Sequence, residues 1–216
     1  MKKRIVCFGD SNTWGYIGGR GTRYDENTRW TGLLQKMLGE EYTVIEEGQG
    51  GRTIALNSAD EGEKSAYDYI CPCLESQAPF DLLIIMLGTN DLQVKFGLSA
   101  GQISQEMDRL LTKVRGFTEY LMEPPERLKI LLVSPIHVGE NIENCADSEV
   151  LGGRTAVEKS RKLAPLMRAV AEKHDCYFMD ASKTAEPGEA DQLHMDAEGH
   201  RKMADAMFRE VKKILA

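Results

Sequence analysis

The stretch that decides the fold is LLIIMLGTND, residues 82–91. Its first part is apolar without interruption, which is typical of a strand buried on both faces of a parallel sheet, because a half-exposed strand would alternate apolar and polar residues. A polar segment that begins with Gly88 follows directly. Open α/β sheets bind ligands beyond the carboxyl ends of their strands, so this segment marks a candidate site.

Further apolar runs of strand length alternate with amphipathic segments along the chain. The runs lie at residues 4–8, 42–46, 128–133 and 176–180. Periodicity predicts helices over residues 29–38, 60–78, 99–121, 155–174 and 196–215. Strands that alternate with helices indicate βαβ units with right-handed crossovers. We therefore predict an α/β protein in which residues 1–216 form one domain, a three-layer α/β/α sandwich with about five parallel strands.

Composition excludes several classes of partner. The 216 residues carry a net charge of −7, and no basic block exceeds Lys2-Lys3-Arg4, which argues against nucleic acid or an anionic membrane. The 5 cysteines are scattered and odd in number, which is typical of reduced thiols, and Cys71-Pro72-Cys73 lacks the spacing of a zinc knuckle or a redox pair. The first residues contain no signal peptide or spanning helix, so we expect a cytoplasmic protein.

Two segments at opposite ends of the chain supply a nucleophile and a base. Ser11 follows the first apolar run, and a serine hydroxyl attacks only when a base takes its proton. His194 is the candidate base, and Asp191 can hydrogen-bond one imidazole nitrogen and orient the ring. Asp180, at the end of the last predicted strand, is the alternative orienting acid. A purely structural interpretation stays open, since Ser11 can cap a turn and Asp191 can cap the following helix.

Asn90 and a glycine block supply candidate donors to an oxyanion. Asn90 offers two amide hydrogens at the end of the third strand, although its segment also suits a turn. The block Gly48-Gln49-Gly50-Gly51 follows the second strand, and glycines let the backbone approach a ligand closely. A phosphate-binding loop is the rival interpretation, but neither Gly-Lys-Ser/Thr nor Gly-x-Gly-x-x-Gly is present.

Two long segments, residues 16–28 and 136–154, follow the first and fourth strands without a periodic pattern. Both leave the carboxyl edge of the sheet, and long loops in compact domains are often functional, so we expect them to frame the pocket and set substrate choice. Trp14 is a candidate wall of an acyl pocket, and Asp10 and Gly50 are candidate substrate contacts.

The chain resembles the SGNH hydrolases, also called GDSL esterases/lipases, in blocks that span nearly its whole length. The matching blocks are Phe8-Gly9-Asp10-Ser11-Asn12-Thr13, Gly88-Thr89-Asn90-Asp91 and Asp191-Gln192-Leu193-His194. The resemblance implies a flavodoxin-like fold without a metal or a cofactor. It also implies that Ser11 is the nucleophile, His194 the base and Asp191 its partner.

The resemblance further implies three oxyanion donors: the Ser11 N–H, a glycine N–H of the second block and the Asn90 side chain. The second block is the weakest match, because the family often has Asn before its glycines and this chain has Glu46-Glu47. Counting from the end of the strand favours Gly51 over Gly48 as the glycine donor.

Finer similarity is to the arylesterase/acyltransferase branch, in residues 4–15, 29–32, 44–48 and 81–87. It implies a small-molecule ester substrate with a short acyl chain and an aryl or alkyl alcohol, acyl transfer to alcohols, and a homo-oligomer. We therefore expect a serine esterase. The alternatives are a carbohydrate acetylesterase, a lysophospholipase or thioesterase, and a flavodoxin-like nucleotide-binding module, the last of which would not explain why Asp191 and His194 accompany Ser11.

Overall fold

The computed structural model describes residues 2–58, 62–121 and 128–216. Its strands are β1 Lys3–Gly9, β2 Tyr42–Gly48, β3 Leu82–Met86, β4 Lys129–Ser134 and β5 Tyr177–Asp180. Its helices are α1 Ser11–Trp14, α2 Trp30–Leu38, α3 Ala66–Gln77, α4 Ala100–Leu121, α5 Ser148–Leu151, α6 Arg154–Lys173 and α7 Ala197–Ile214. The predicted alternation of strands and helices is confirmed.

The strands of the described residues form one parallel sheet in the order β2-β1-β3-β4-β5. The order reverses between β1 and β3, and such a switch point opens a crevice beyond the carboxyl ends of the two strands. Gly9 is level with Gly48 on one side and with Met86 on the other, so β1, β2 and β3 end together. The predicted parallel α/β sheet is confirmed.

Alternate residues of each strand face opposite sides of the sheet and build two apolar cores. Phe8 and Ile85 pack on one side, against α3, α4 and α6. Cys7 and Ile84 pack on the other, against α2 and α7. Because helices cover both faces, every residue of β3 is buried, which explains its unbroken apolar sequence.

The predicted helix over residues 60–78 is wrong at its start, because α3 begins at Ala66. Ser65 caps that helix, and Asn57 Oδ1 accepts hydrogen bonds from the N–H groups of Lys64 and Ser65, which holds the preceding turn out of the helix. Residues 60 and 61 lie outside the described residues. Among the helices that the structure describes, none is long and apolar enough to cross a membrane.

Candidate active site

Loops from different parts of the chain meet beyond the carboxyl ends of β1, β2 and β3. Ser11 follows β1, Gly51 follows β2 and Asn90 follows β3, and all three line one cleft. His194, from the loop between β5 and α7, lines the same cleft. The cleft therefore lies at the switch point of the sheet, where the sequence predicts the site.

Ser11 is the first residue of α1, a single helical turn. Asp10 has extended backbone angles and caps this turn, since its Oδ1 accepts a hydrogen bond from the Asn12 N–H at 2.9 Å. The turn ends at Gly15, whose φ of 90° is the left-handed conformation that favours glycine. This change from strand to helix leaves the Ser11 N–H at the first helical position, where the helix offers no acceptor.

Ser11, His194 and Asp191 form a continuous chain of hydrogen bonds. Ser11 Oγ lies 2.8 Å from His194 Nε2, and His194 Nδ1 lies 2.7 Å from Asp191 Oδ2. All three residues are buried. With Nδ1 donating to the carboxylate, Nε2 accepts from the serine hydroxyl, which is the arrangement of an activated nucleophile.

Asp191 is fixed by its own loop. Its Oδ1 accepts hydrogen bonds from the N–H groups of Leu193 and His194 at 3.0 and 2.9 Å, and Gln192 adopts a φ of 58° to close the turn. Burial acts to raise the pKa of Asp191, but the hydrogen bonds from the side chain and backbone of His194 outweigh it, and the pKa lies below its ordinary value. The group is therefore a carboxylate at neutral pH and can stabilise an imidazolium.

Asn12 fastens the serine turn to the histidine loop. Its Oδ1 accepts a hydrogen bond from the Met195 N–H at 3.0 Å, and its Nδ2 donates to the Leu193 carbonyl at 3.3 Å. Trp30 Nε1 donates to the Asn12 carbonyl at 3.0 Å and so ties the same turn to α2. These contacts set the position of His194 relative to Ser11.

The side chain of Asn90 lies beside Ser11 in the cleft. Its Nδ2 donates to the Arg52 carbonyl at 3.0 Å, which fixes the plane of the amide, and a primary amide carries a second N–H. Gly51 has a φ of 76°, a left-handed conformation that turns the backbone of the second block at the cleft. An oriented amide and a glycine backbone thus line the same cleft as Ser11.

Arg52 fixes the loop that carries Gly51. The Arg52 side chain is buried; it donates to the Gly9 carbonyl at 2.9 Å and also to the Glu47 carbonyl. Its guanidinium carbon lies 4.2 Å from the centroid of the Phe8 ring. The loop after β2 is thereby held against the end of β1, which precedes Ser11.

Two buried carboxyl groups lie beneath the site. Asp91 accepts hydrogen bonds from the Ile54 N–H at 3.0 and 3.2 Å, which joins the loop after β3 to the loop after β2. Burial raises the pKa of Asp10 to about 6 and the pKa of Asp91 to about 7, and the charge of Asp10 adds to the rise at Asp91. With a pKa of about 7, Asp91 is partly protonated at neutral pH, which reduces the negative charge below the cleft, whereas Asp10 stays largely ionised.

The cleft beside Ser11 has a volume of about 230 Å³. The segment 16–28 contributes Tyr16 to its wall, and the segment 136–154 contributes Asp147, Val150 and Leu151. The prediction that these two segments frame the pocket is confirmed. The volume suits a small ligand rather than a long lipid chain.

Trp14 is not among the residues that line the cleft. A side chain on Gly48 would lie 2.3 Å from the Trp14 nitrogen, so α1 packs directly on the end of β2 at this point. The guanidinium carbon of Arg23 lies 5.4 Å from the centroid of the Trp14 ring, and the Tyr16 ring lies beside it. Trp14 therefore packs under the segment 16–28, and it is Tyr16 that reaches the cleft.

Of the remaining predicted residues, one lines the cleft and two make hydrogen bonds within their own turns. Gly50 lines the cleft, whereas the Asp10 side chain caps α1. Asp180 Oδ1 accepts hydrogen bonds from the Ser182 hydroxyl at 2.6 Å and the Ser182 N–H at 3.2 Å, so this carboxylate is bound to its own turn and not to His194. Within the described residues, no group of three or more His, Cys, Asp or Glu is arranged to hold a metal ion.

Sequence reasoning missed Tyr16 and Gln93, which both line the cleft. The Tyr16 ring centroid lies 4.3 Å from that of His194, so the tyrosine covers the imidazole. Gln93 ends the 3₁₀ turn that begins at Asn90, and residues three apart in a 3₁₀ turn lie on the same side. The spacing from Asn90 was the signal that could have found Gln93.

Comparison with known proteins places these features in one family. The model of the GDSL-like lipase/acylhydrolase family matches residues 7–202. The structure is similar to Est24, a carbohydrate acetylesterase from Sinorhizobium meliloti, with a TM-score of 0.90, 31% identity, and 99% of this chain and 100% of that chain covered. It is also similar to the aryl esterase of M. smegmatis, with a TM-score of 0.90, 30% identity, and 98% and 99% coverage. A putative arylesterase from Agrobacterium tumefaciens aligns with a TM-score of 0.86, 31% identity, and 98% and 99% coverage. No curated protein matches the chain.

Proposed function

The chain belongs to the GDSL-like lipase/acylhydrolase family, and we propose that it is a serine esterase that hydrolyses short-chain acyl esters of aryl or alkyl alcohols. The observation that carries this proposal is the unbroken hydrogen-bond chain from Ser11 through His194 to Asp191. A flavodoxin-like binding module does not require this series of hydrogen bonds. The solved relatives, an aryl esterase and a carbohydrate acetylesterase, support ester hydrolysis.

In the proposed reaction, Ser11 Oγ attacks the ester carbonyl while His194 Nε2 takes the hydroxyl proton. Asp191 keeps Nδ1 protonated and stabilises the imidazolium. The imidazolium then gives its proton to the leaving alcohol, and the acyl group stays on Ser11. Water enters with His194 as its base and releases the acid, which restores the free hydroxyl.

The oxyanion of each tetrahedral intermediate is held by three donors in the proposal: the Ser11 N–H, the Gly51 N–H and Asn90 Nδ2. Removal of one such donor typically costs about 3–4 kcal/mol of transition-state stabilisation, or roughly 10²–10³ in kcat. Asn90→Ala should therefore lose that factor while ester binding changes little.

The small cleft supports short acyl chains, and the apolar side chains of Leu193, Val150 and Leu151 in its wall suit the carbon skeleton of a small ester. An acyl-enzyme can also be resolved by an alcohol in place of water. We propose that transfer to primary alcohols accompanies hydrolysis, and that ester product forms when such an alcohol is added.

The test is a p-nitrophenyl ester series from acetate to octanoate, run with the wild type, Ser11→Ala and Ser76→Ala as a matched control on α3. We expect activity that falls beyond short chains, a loss of at least about 10⁴-fold in Ser11→Ala, and no loss in Ser76→Ala. Circular dichroism checks that each variant folds. Activity retained by Ser11→Ala would contradict the serine mechanism.

A homo-oligomer in the cytoplasm stays a prediction. Light scattering of the purified chain at several concentrations tests the oligomer, and fractionation of the producing cells tests the location.

A further inference from the structure

The turn of residues 17–22 lies on the carboxylate of Asp191. A Cβ atom added to Gly18 would lie 2.7 Å from Asp191 Oδ2 and 2.9 Å from its Cγ, which is closer than Cβ atoms approach other atoms in proteins. The backbone of Gly18 is therefore in direct contact with the carboxylate. A Cβ on Gly19 would lie 3.8 Å from the Ala190 Cβ, so the contact continues along the loop that precedes Asp191.

This turn is a fixed part of the segment 16–28. The Ile17 N–H donates a hydrogen bond to the Thr22 carbonyl at 2.8 Å, and Tyr16 pairs with Arg23 in an antiparallel bridge. The two sides of the turn are thereby joined by backbone hydrogen bonds. The turn cannot move away from Asp191 without disturbing these contacts.

The loop that carries Asp191 is constrained in the same way. The Gly188 N–H donates to the His194 carbonyl at 2.7 Å, and the Gln192 N–H donates to the Gly188 carbonyl at 3.1 Å. The Gly139 N–H donates to the Gln192 carbonyl at 2.8 Å and ties the loop to the segment 136–154. Two constrained segments therefore meet at a position that leaves no room for a side chain.

The contact affects the carboxylate that the proposed reaction uses. Asp191 Oδ1 accepts hydrogen bonds from two backbone N–H groups, and Oδ2 lies 2.7 Å from His194 Nδ1. A carboxylate has about four acceptor sites, so a water molecule bound to Oδ2 would compete with Nδ1. Backbone packed on the carboxylate excludes such a water, and the attraction between a carboxylate and an imidazolium is larger where water is excluded.

We propose that Gly18 is a positioning residue, which holds the Asp191 carboxylate against His194 and keeps water from it. This inference rests on the proposed esterase function. Gly18 is not among the residues that line the cleft, so it acts on the reaction through Asp191 and not by touching the ester. The segment 16–28 thus contributes to catalysis as well as framing the pocket.

The test is Gly18→Ala, with Gly116→Ala as a matched control. The φ of Gly18 is not in the left-handed region, so alanine adds the Cβ contact without backbone strain. Gly116 lies in α4, and a Cβ there would meet no atom within 4 Å. The measured quantities are kcat and KM for p-nitrophenyl acetate, under conditions in which urea unfolding shows that each variant is folded.

A Cβ only 2.7 Å from Oδ2 must displace the turn or the carboxylate. A displacement of about 1 Å near a catalytic group can cost roughly 10² in rate. We expect Gly18→Ala to lower kcat about 10- to 100-fold and to change KM by less than about twofold. Gly116→Ala should keep the wild-type value of both constants.

A double variant separates an effect through Asp191 from a general loosening of the site. Asp191→Asn leaves no carboxylate to position, and its residual activity is followed in single turnovers with enzyme in excess over the ester. Adding Gly18→Ala to Asp191→Asn should slow the reaction by no more than about twofold. An equal loss from Gly18→Ala in both backgrounds would overturn the assignment, because the turn would then act through another group.

An unchanged kcat in Gly18→Ala would also overturn the assignment, as would an effect on KM alone. Failure of the proposed function would be recognised separately. In that case the wild type would not hydrolyse p-nitrophenyl acetate, or Ser11→Ala would retain its activity.

Discussion

The contact that joins the serine turn to the histidine loop makes the sharpest test of how the site is assembled. Asn12 is buried and hydrogen-bonds the Met195 N–H at 3.0 Å and the Leu193 carbonyl at 3.3 Å, on either side of His194. Asn12→Ala leaves both backbone groups buried without a partner. At about 1–3 kcal/mol for each group, the free energy of unfolding should fall by about 2–6 kcal/mol.

The same substitution should slow the reaction. His194 lies between the two released backbone groups, and a displacement of about 1 Å at a catalytic group can cost roughly 10² in rate. We expect kcat to fall about 10- to 100-fold. KM should change by less than about twofold, because Asn12 is not among the residues that line the cleft.

Urea unfolding measures the change in the free energy of unfolding. Kinetics with p-nitrophenyl acetate, well below the unfolding temperature, measure the change in kcat. Asn144→Ala is the matched control, since that asparagine is exposed on the segment 136–154. The reasoning is refuted if Asn12→Ala loses stability while kcat stays at the wild-type value, because His194 would then be positioned without this contact.

The structure predicts the effects of three further sets of substitutions. Tyr16→Leu removes the ring that covers His194, 4.3 Å between centroids, and should lower kcat/KM about fivefold, whereas Tyr16→Phe should keep it. Burial lowers the pKa of His200 from 6.5 to about 4. Between these two values the unfolded state binds more protons than the folded state, so the free energy of unfolding decreases as the pH falls. His200→Asn should remove up to about 3 kcal/mol of this decrease, measured by urea unfolding at pH 7 and pH 4.5. Gly51 and Gly97 have φ values of 76° and 63°, so alanine at either should cost about 1–2 kcal/mol of stability, but only Gly51→Ala should also lower kcat.

The central strands β3 and β4 were predictable because they are buried on both faces and are therefore almost continuously apolar. The long helices were predictable because their apolar residues repeat with a helical period over several turns. The start of α3 was not predictable, because it is set by hydrogen bonds from local backbone N–H groups to the side chains of Ser65 and Asn57. Such contacts leave no periodic signal in the sequence. The four-residue helix α5 Ser148–Leu151 is too short to have a period at all.

The residues of the hydrogen-bond chain were predictable because reaction chemistry restricts their types. The proposed mechanism needs a hydroxyl, an imidazole and a carboxylate, which pointed to Ser11 and His194, and the local spacing favoured Asp191 over Asp180 as the acid. The walls of the cleft follow from packing instead. Trp14 does not line the cleft because α1 packs on the end of β2. That packing depends on Gly48, which has no side chain to keep the Trp14 backbone away.

Glu46, which departs from the family pattern, has a structural role that spacing could not reveal. Its carboxylate binds Arg29 Nε at 2.7 Å and Arg23 Nη2 at 3.0 Å, and it also accepts from the Thr31 hydroxyl. Burial acts to raise the pKa of Glu46, but these hydrogen bonds and charges outweigh it, and the pKa is lowered. Glu46 thereby fastens the segment 16–28 to β2, and that segment carries Tyr16 to the cleft.

Three of the contacts that support the site join segments that are far apart along the chain. Asn12 joins the loop after β1 to the loop before α7, Arg52 joins the loop after β2 to the end of β1, and Asp91 joins the loop after β3 to the loop after β2. All three side chains are buried, where a hydrogen bond is electrostatically stronger than it is in water. Because Ser11 and His194 come from opposite ends of the chain, their 2.8 Å separation depends on these contacts and not on local sequence. Substitutions at the supporting residues should therefore affect kcat more than KM, which distinguishes them from substitutions in the wall of the cleft.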